Sequence, residues 1–253
     1  MTEQDPEPEK TASGAPVYRY EEVEPAPFSL AAGDEATIEA ISDHIEQHVG
    51  KISSVFHEII SDKVHLDVHI VEPSKDFPFY TLVTSGMSDL PMTVPEGEED
   101  ARYAELCILL PSTWPMAENG DVVGVSEDDD AYWPIGWMKF LARFPHEYHT
   151  WLGVGHTIPN GEEAAPYASN TKLGCMLVLP SISLPKEFRE LKISEDKTIN
   201  FYCLYCLYPE EMQLKMDKGL DALLDKFEEY GMSDVLDIAR PNVVSKKGFL
   251  GLW

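Results

Sequence analysis

FLARFPHEYHTWLGVGHTIPNG, residues 140–161, is the stretch on which the reading of this chain turns. It sets His146, His149, His156 and Trp151 among Gly153, Gly155 and Gly161, with Pro145 and Pro159 inside it. Neither a helical nor a strand period runs through such a mixture. Glycine allows backbone angles closed to other residues, and proline fixes chain direction. Histidine and tryptophan that leave solvent need hydrogen-bond partners. The combination predicts a positioned loop, which carries either function or a structural lock. The residues expected to organise it or to bind a partner are His146, Tyr148, His149, Trp151, His156, Thr157, Asn160 and the later Tyr167, with Trp151 as the loop's anchor in the core.

Outward from this stretch the periodicity becomes regular. Before it, residues 134–143 read as a helix with Pro134 at its first position, Ile135, Met138 and Leu141 on one face, and Pro145 as its stop. Residues 37–49 read as a helix with Ile38, Ile41, Ile45 and Val49 in register, Asp34 or Thr37 as cap and Gly50 as end. Val64, Leu66, Val68 and Ile70 alternate with His65, Asp67 and His69, the pattern of a half-buried strand. Residues 79–84, 106–110, 173–179 and 199–208 are apolar strands. Pro209 opens a helix through residue 229 with Leu220, Leu223, Leu224 and Phe227 as its stripe and Gly231 as its cap, and residues 235–238 read as a last strand. Helices bracket a run of strands rather than alternating with each one, so the expected fold is α+β, a single domain with a mostly antiparallel sheet flanked by helices.

The chain has 253 residues, 43% of them hydrophobic, enough for one large core. Residues 1–35 hold five prolines, and nine acidic against two basic residues give this stretch −7, leaving −19 of the total −26 on the rest. That composition predicts a disordered tail, then a domain over 36–243 and a C-terminal extension over 244–253. So acidic a chain repels nucleic acid and anionic membranes and favours a basic partner, although acidity also simply keeps a protein soluble. No apolar run is long enough to span a membrane or to serve as a signal peptide. The four cysteines, Cys107, Cys175, Cys203 and Cys206, all sit in apolar runs, as reduced core thiols do in a cytoplasmic protein.

Catalytic chemistry finds little support. His146-Glu147-Tyr148-His149 is one residue short of the zincin motif, whose two histidines must lie four apart on a helix. With His156 these histidines are the basis of an alternative reading as a metal-dependent hydrolase. His65, Asp67 and His69 would project from one strand face and are competent metal ligands, but alternation alone produces them, and the plainer expectation is a solvent-facing edge. Cys203 and Cys206 lie three apart within a strand, so they face opposite ways and form no redox or zinc pair. The acidic runs at 96–100 and 127–130 read as solvated turns, the second lacking the spacing of a calcium loop. Nucleophile elbow, phosphate loop and dinucleotide fingerprint are all missing. No catalytic residue, metal or cofactor is assigned.

FPHEYHTWLGVGHTIPNG resembles the signature of the suppressor-of-fused domain. The blocks LVTSGMSDLPMTVP (82–95), AELCILLPSTWP (104–115), YASNTKLGCMLVLP (167–180), INFYCLYCLYPEEMQLKMDKGLDALL (199–224) and DIARPNV (237–243) agree with it in order. The family often has proline where Cys206 stands. The resemblance implies a non-enzymatic binding module. Eukaryotic members restrain a transcription factor in hedgehog signalling, and stand-alone bacterial members look like immunity or antitoxin-type proteins. The expectation is therefore a partner-binding protein of the bacterial type, its partner another protein such as a basic toxin.

Overall fold

The computed structural model describes residues 8–20, 33–57, 64–116 and 130–245. In chain order the elements are β1 (Glu9–Lys10), β2 (Pro16–Val17), α1 (Glu35–His48), β3 (Ile52–His57), β4 (Asp67–Val71), β5 (Phe79–Ser85), β6 (Ala104–Pro111), α2 (Trp133–Glu147), β7 (Thr157–Pro159), β8 (Cys175–Leu179), β9 (Glu190–Lys192), β10 (Thr198–Leu207), α3 (Pro209–Lys218) and α4 (Leu220–Tyr230). Strands β3-β4-β5-β6-β10-β8-β7 form one twisted path, with β9 paired to β10. Only β6 and β10 run parallel; the other pairs of this sheet are antiparallel. The fold is α+β, as the order of elements implies.

Both faces of the sheet are covered. On one, Leu66, Val68, Leu82, Leu106, Ile108 and Val178 meet Ile135, Met138 and Leu141 of α2. On the other, Val83, Leu109, Leu177 and Phe201 meet Ile41 and Ile45 of α1 and Leu223 and Phe227 of α4. Cys203 belongs to the second core and Cys206 to the first, so the two thiols do face apart. Among the described residues no helix is long and apolar enough to cross a membrane.

Burial on both faces corrects the reading of β4. His65 precedes the strand, and Asp67 and His69 within it are 3% and 2% exposed. The polar alternation suggested an open edge, but β3, whose mixed ISSVFH run gave no clear period, pairs along β4 and closes it. Asp67 Oδ1 lies 3.0 Å from His57 Nδ1 and 3.4 Å from His65 Nε2, while His69 Nε2 bonds Ser85 Oγ at 2.8 Å. Burial pushes His69 down to about 4, so its ring is neutral.

Three further boundaries differ. α2 runs two residues past Pro145 instead of stopping at it. A proline in the last turn forfeits one intrahelical hydrogen bond, and burial of Pro145 and His146 offsets it. The long helix expected from Pro209 is two, broken at Gly219 (φ 91°), where the backbone takes a conformation open mainly to glycine. The strand expected at 235–238 is a single parallel bridge from Val235 to Leu109. β10 leaves β6 after Cys107, and one bridge is what that gap admits.

Residues 8–20, inside the stretch expected to be disordered, form the β1–β2 hairpin and dock on the domain through Ser13 N to Met216 O at 3.0 Å. Composition weighed only what the tail itself buries; the domain supplies the apolar surface. Residues 1–7, 21–32, 58–63, 117–129 and 246–253 are outside the described residues, and with them most of the 127–130 acidic run and of the C-terminal extension.

Two buried carboxylates hold the ends of the sheet. Glu211 takes a bidentate pair from Arg240 (2.6 and 2.5 Å) and the backbone N–H groups of Tyr208 and Val243. Glu105 accepts from Thr84 Oγ1, Ser88 Oγ and Ser88 N, and without a cation burial raises it to about 7. The turn that supplies Ser88 also supplies Met87 O, which accepts from His146 Nε2 of α2 at 2.9 Å.

Candidate functional site

α2 has two apolar faces. Ile135, Met138, Leu141 and Ala142 point into the sheet. Trp133, Trp137, Phe140, Phe144 and Tyr148, at steps of four, three, four and four, form a second stripe. Their rings make a continuous series. Trp133 stacks on Tyr167 (5.0 Å, 10°), Tyr167 meets Trp137 edge-on (4.7 Å), and Trp137 meets Phe140 (5.1 Å). Phe140 then contacts Phe144 (5.9 Å), and Phe144 contacts Tyr148 (4.9 Å). Phe140 remains 38% exposed.

This stripe is one wall of a groove of about 1580 Å³. The loop from Thr150 to Gly161 and Lys215 of α3 form the opposite wall, and the segment from Thr11 to Tyr20 lines the groove as well. Of the residues expected from sequence, Tyr148, Trp151, His156, Thr157 and Asn160 line it. Trp151 is half-buried rather than the anchor in the core. Its ring lies over Gly153, where a Cβ would come within 2.4 Å, and meets His156 at 4.4 Å. Leu152, 1% exposed, is the residue this loop sends into the core. Thr157 Oγ1 accepts from Lys215 Nζ (3.3 Å), and Asn160 Nδ2 donates to Ala165 O and Pro166 O. Burial, with Lys215 adding to it, holds His156 below the ordinary histidine range.

The remaining candidates do different things. His146 faces the sheet on α2, and His149 is exposed at the helix end with φ 51°. The three histidines of the hydrolase reading therefore sit in three separate surroundings, and among the described residues no group of three His, Cys, Asp or Glu could hold a metal. Tyr167 lies behind the stripe, outside the groove's lining, and its buried hydroxyl and the Nε1 of Trp133 both lack a hydrogen-bond partner among the described residues. An unpaired buried polar group costs about 1–3 kcal/mol.

Sequence reasoning missed Trp133, Trp137, Phe140 and Phe144, although their spacing is in plain view. One apolar stripe already satisfies the helical period, and a second at the same period adds no separate signal.

The chain matches the profile of the suppressor of fused protein (SUFU) family over residues 62–241. No curated protein matches it. A suppressor of fused homologue from Neisseria gonorrhoeae has a similar structure, with a TM-score of 0.61 at 16% identity over 84% of this chain and 100% of that one. A chain of the Sufu–Fu complex gives 0.58 at 15% identity, over 82% and 92%. Drosophila Suppressor of Fused gives 0.56 at 14% identity, over 82% of this chain and 51% of that one. At such identities the likeness is one of fold.

Proposed function

The chain belongs to the suppressor of fused protein family, and from that premise we propose that it is a non-enzymatic protein-binding module of the bacterial immunity or antitoxin type. The observation that carries this reading is the groove: aromatic rings in a row along α2, beside the Nε1 of Trp133, which has no hydrogen-bond partner among the described residues. Aromatic side chains dominate binding hot spots, and a buried donor without a partner gains by meeting one. That a relative was crystallised as the Sufu–Fu complex supports a protein partner. With a net charge of −26, the partner we propose is basic, as a toxin that acts on nucleic acid would be. A cytoplasmic setting fits four buried thiols, all free.

The test is a pull-down from the source organism with the wild type and with Phe144→Ala, followed by association kinetics in low and high salt. Wild type retains a basic protein that Phe144→Ala loses. Raising salt from about 50 to about 500 mM shortens the Debye length to under about 5 Å, so association slows while dissociation changes little. An acidic partner, or an on-rate indifferent to salt, removes the electrostatic part. Turnover of a small molecule by the purified protein, with no protein partner recovered, overturns the reading.

A further inference from the structure

The chain's own N-terminal segment runs along this groove and lines part of it, from Thr11 to Tyr20. The Tyr20 ring wedges between Phe144 (5.1 Å, edge-on) and Tyr148 (5.3 Å), and its hydroxyl shares a 2.6 Å hydrogen bond with Thr150 Oγ1. Thr150 Oγ1 thus meets the polar tip of a ring whose body is held by aromatics, an arrangement that selects tyrosine over phenylalanine. On the opposite wall, Ser13 N donates to Met216 O and Ser13 Oγ to Lys215 O (3.4 Å). Between these two points lie β2 and residues 18–20, with Tyr18 53% exposed.

This occupant is weakly held. β1 and β2 pair over two residues each, and an isolated two-stranded hairpin is marginal in water. Nor does it reach the Nε1–H of Trp133, on a residue 6% exposed, which has no hydrogen-bond partner among the described residues.

We infer that the groove recognises an extended, tyrosine-bearing segment of its protein partner, and that residues 8–20 hold that place in cis until the partner displaces them. The inference rests on the groove being the binding surface proposed above. The cis segment acts as a latch. It covers the aromatic stripe when the protein is alone, and a trans ligand must bind the fraction of molecules in which the latch is open.

The test uses the full chain and a fluorescent peptide with the sequence of residues 8–20, PEKTASGAPVYRY. Fluorescence polarisation is measured against the wild type, Tyr20→Ala and Tyr20→Ala/Phe144→Ala, each checked by thermal melt. Opening the latch in Tyr20→Ala should tighten peptide binding about tenfold or more over the wild type. Adding Phe144→Ala should abolish it, and a peptide with phenylalanine in place of its last tyrosine should bind more weakly. Equal binding by wild type and Tyr20→Ala, or binding by neither, overturns the latch. So does a wild-type dimer that dissociates in Tyr20→Ala, because the segment would then be exchanged between two copies. If Phe144→Ala loses the partner while wild type and Tyr20→Ala take the peptide equally, the latch fails and the binding surface stands. If Phe144→Ala retains the partner, the surface fails and the latch fails with it.

Discussion

At the Arg240 clasp both carboxylate oxygens of Glu211 are taken, each by a guanidinium N–H and a backbone N–H. At the aromatic groove and just behind it, on the α2 side of the sheet, Trp133 Nε1 and the Tyr167 hydroxyl are buried and have no hydrogen-bond partner among the described residues. The first region is complete within the chain. The second leaves these two groups unpaired beside a row of half-buried rings, the feature on which the proposed binding surface rests. Glu105 lies between these cases, hydrogen-bonded by Thr84 and Ser88 but without a cation.

The contrast breaks most sharply at Arg240. Arg240→Met strands the buried Glu211 charge and should cost about 3–5 kcal/mol in urea melts, without altering peptide binding at the groove. Replacing both partners by methionine should restore most of that stability. If the single variant costs under about 1 kcal/mol, the clasp is not what holds the segment after α4.

Glu105 should give the next largest effect, and one that depends on pH. Its carboxyl rises from an ordinary 4.5 to about 7 in the folded protein. Between those values the native state binds the extra proton, so the stability this group contributes is full below about pH 4.5 and lost as pH rises to about 7. The loss amounts to about 3 kcal/mol. Glu105→Gln should flatten that component, seen as the difference between wild-type and variant urea midpoints from pH 4.5 to 8. A difference that grows with rising pH in the opposite sense would contradict the assignment.

Groove substitutions should weigh little on stability. Phe144→Ala removes a half-buried ring and should cost about 1 kcal/mol while abolishing partner capture. A cost near that of a core phenylalanine, about 3–5 kcal/mol, would make the stripe structural. The smallest effect is Tyr167→Phe. Deleting an orphaned hydroxyl should leave the stability in urea melts unchanged or raise it slightly, by up to about 1 kcal/mol. A marked loss of stability would show that the hydroxyl is already satisfied.

Much of the scaffold was legible because its signals are local. Asp34 does cap α1, accepting from Ala36 N and Thr37 Oγ1, and Gly231 does end α4 with φ 61°. The apolar strands at Phe79, Ala104, Cys175 and Thr198 fall close to where runs of apolar residues placed them. Among the eight candidates, five line the groove, four of them because one loop carries them and Tyr148 because it ends the stripe of α2. His146 was drawn to the same loop by sequence neighbourhood, yet it lies in a helix whose rotation turns it to the sheet.

What the sequence determined by itself is the α+β order of elements, the caps, the opposite facing of Cys203 and Cys206, and the resemblance to the suppressor of fused family. These follow from periodicity and composition within a few residues. Tertiary structure alone decided that β4 is buried on both faces, that Glu211 finds Arg240 29 residues away, and that Tyr20 finds Thr150 across 130. Burial and hydrogen-bond partners depend on which surfaces the packed sheet brings together, and no local pattern states that. Whether the second stripe of α2 is core or groove was decided the same way: spacing makes the stripe, and the sheet occupies only the other face.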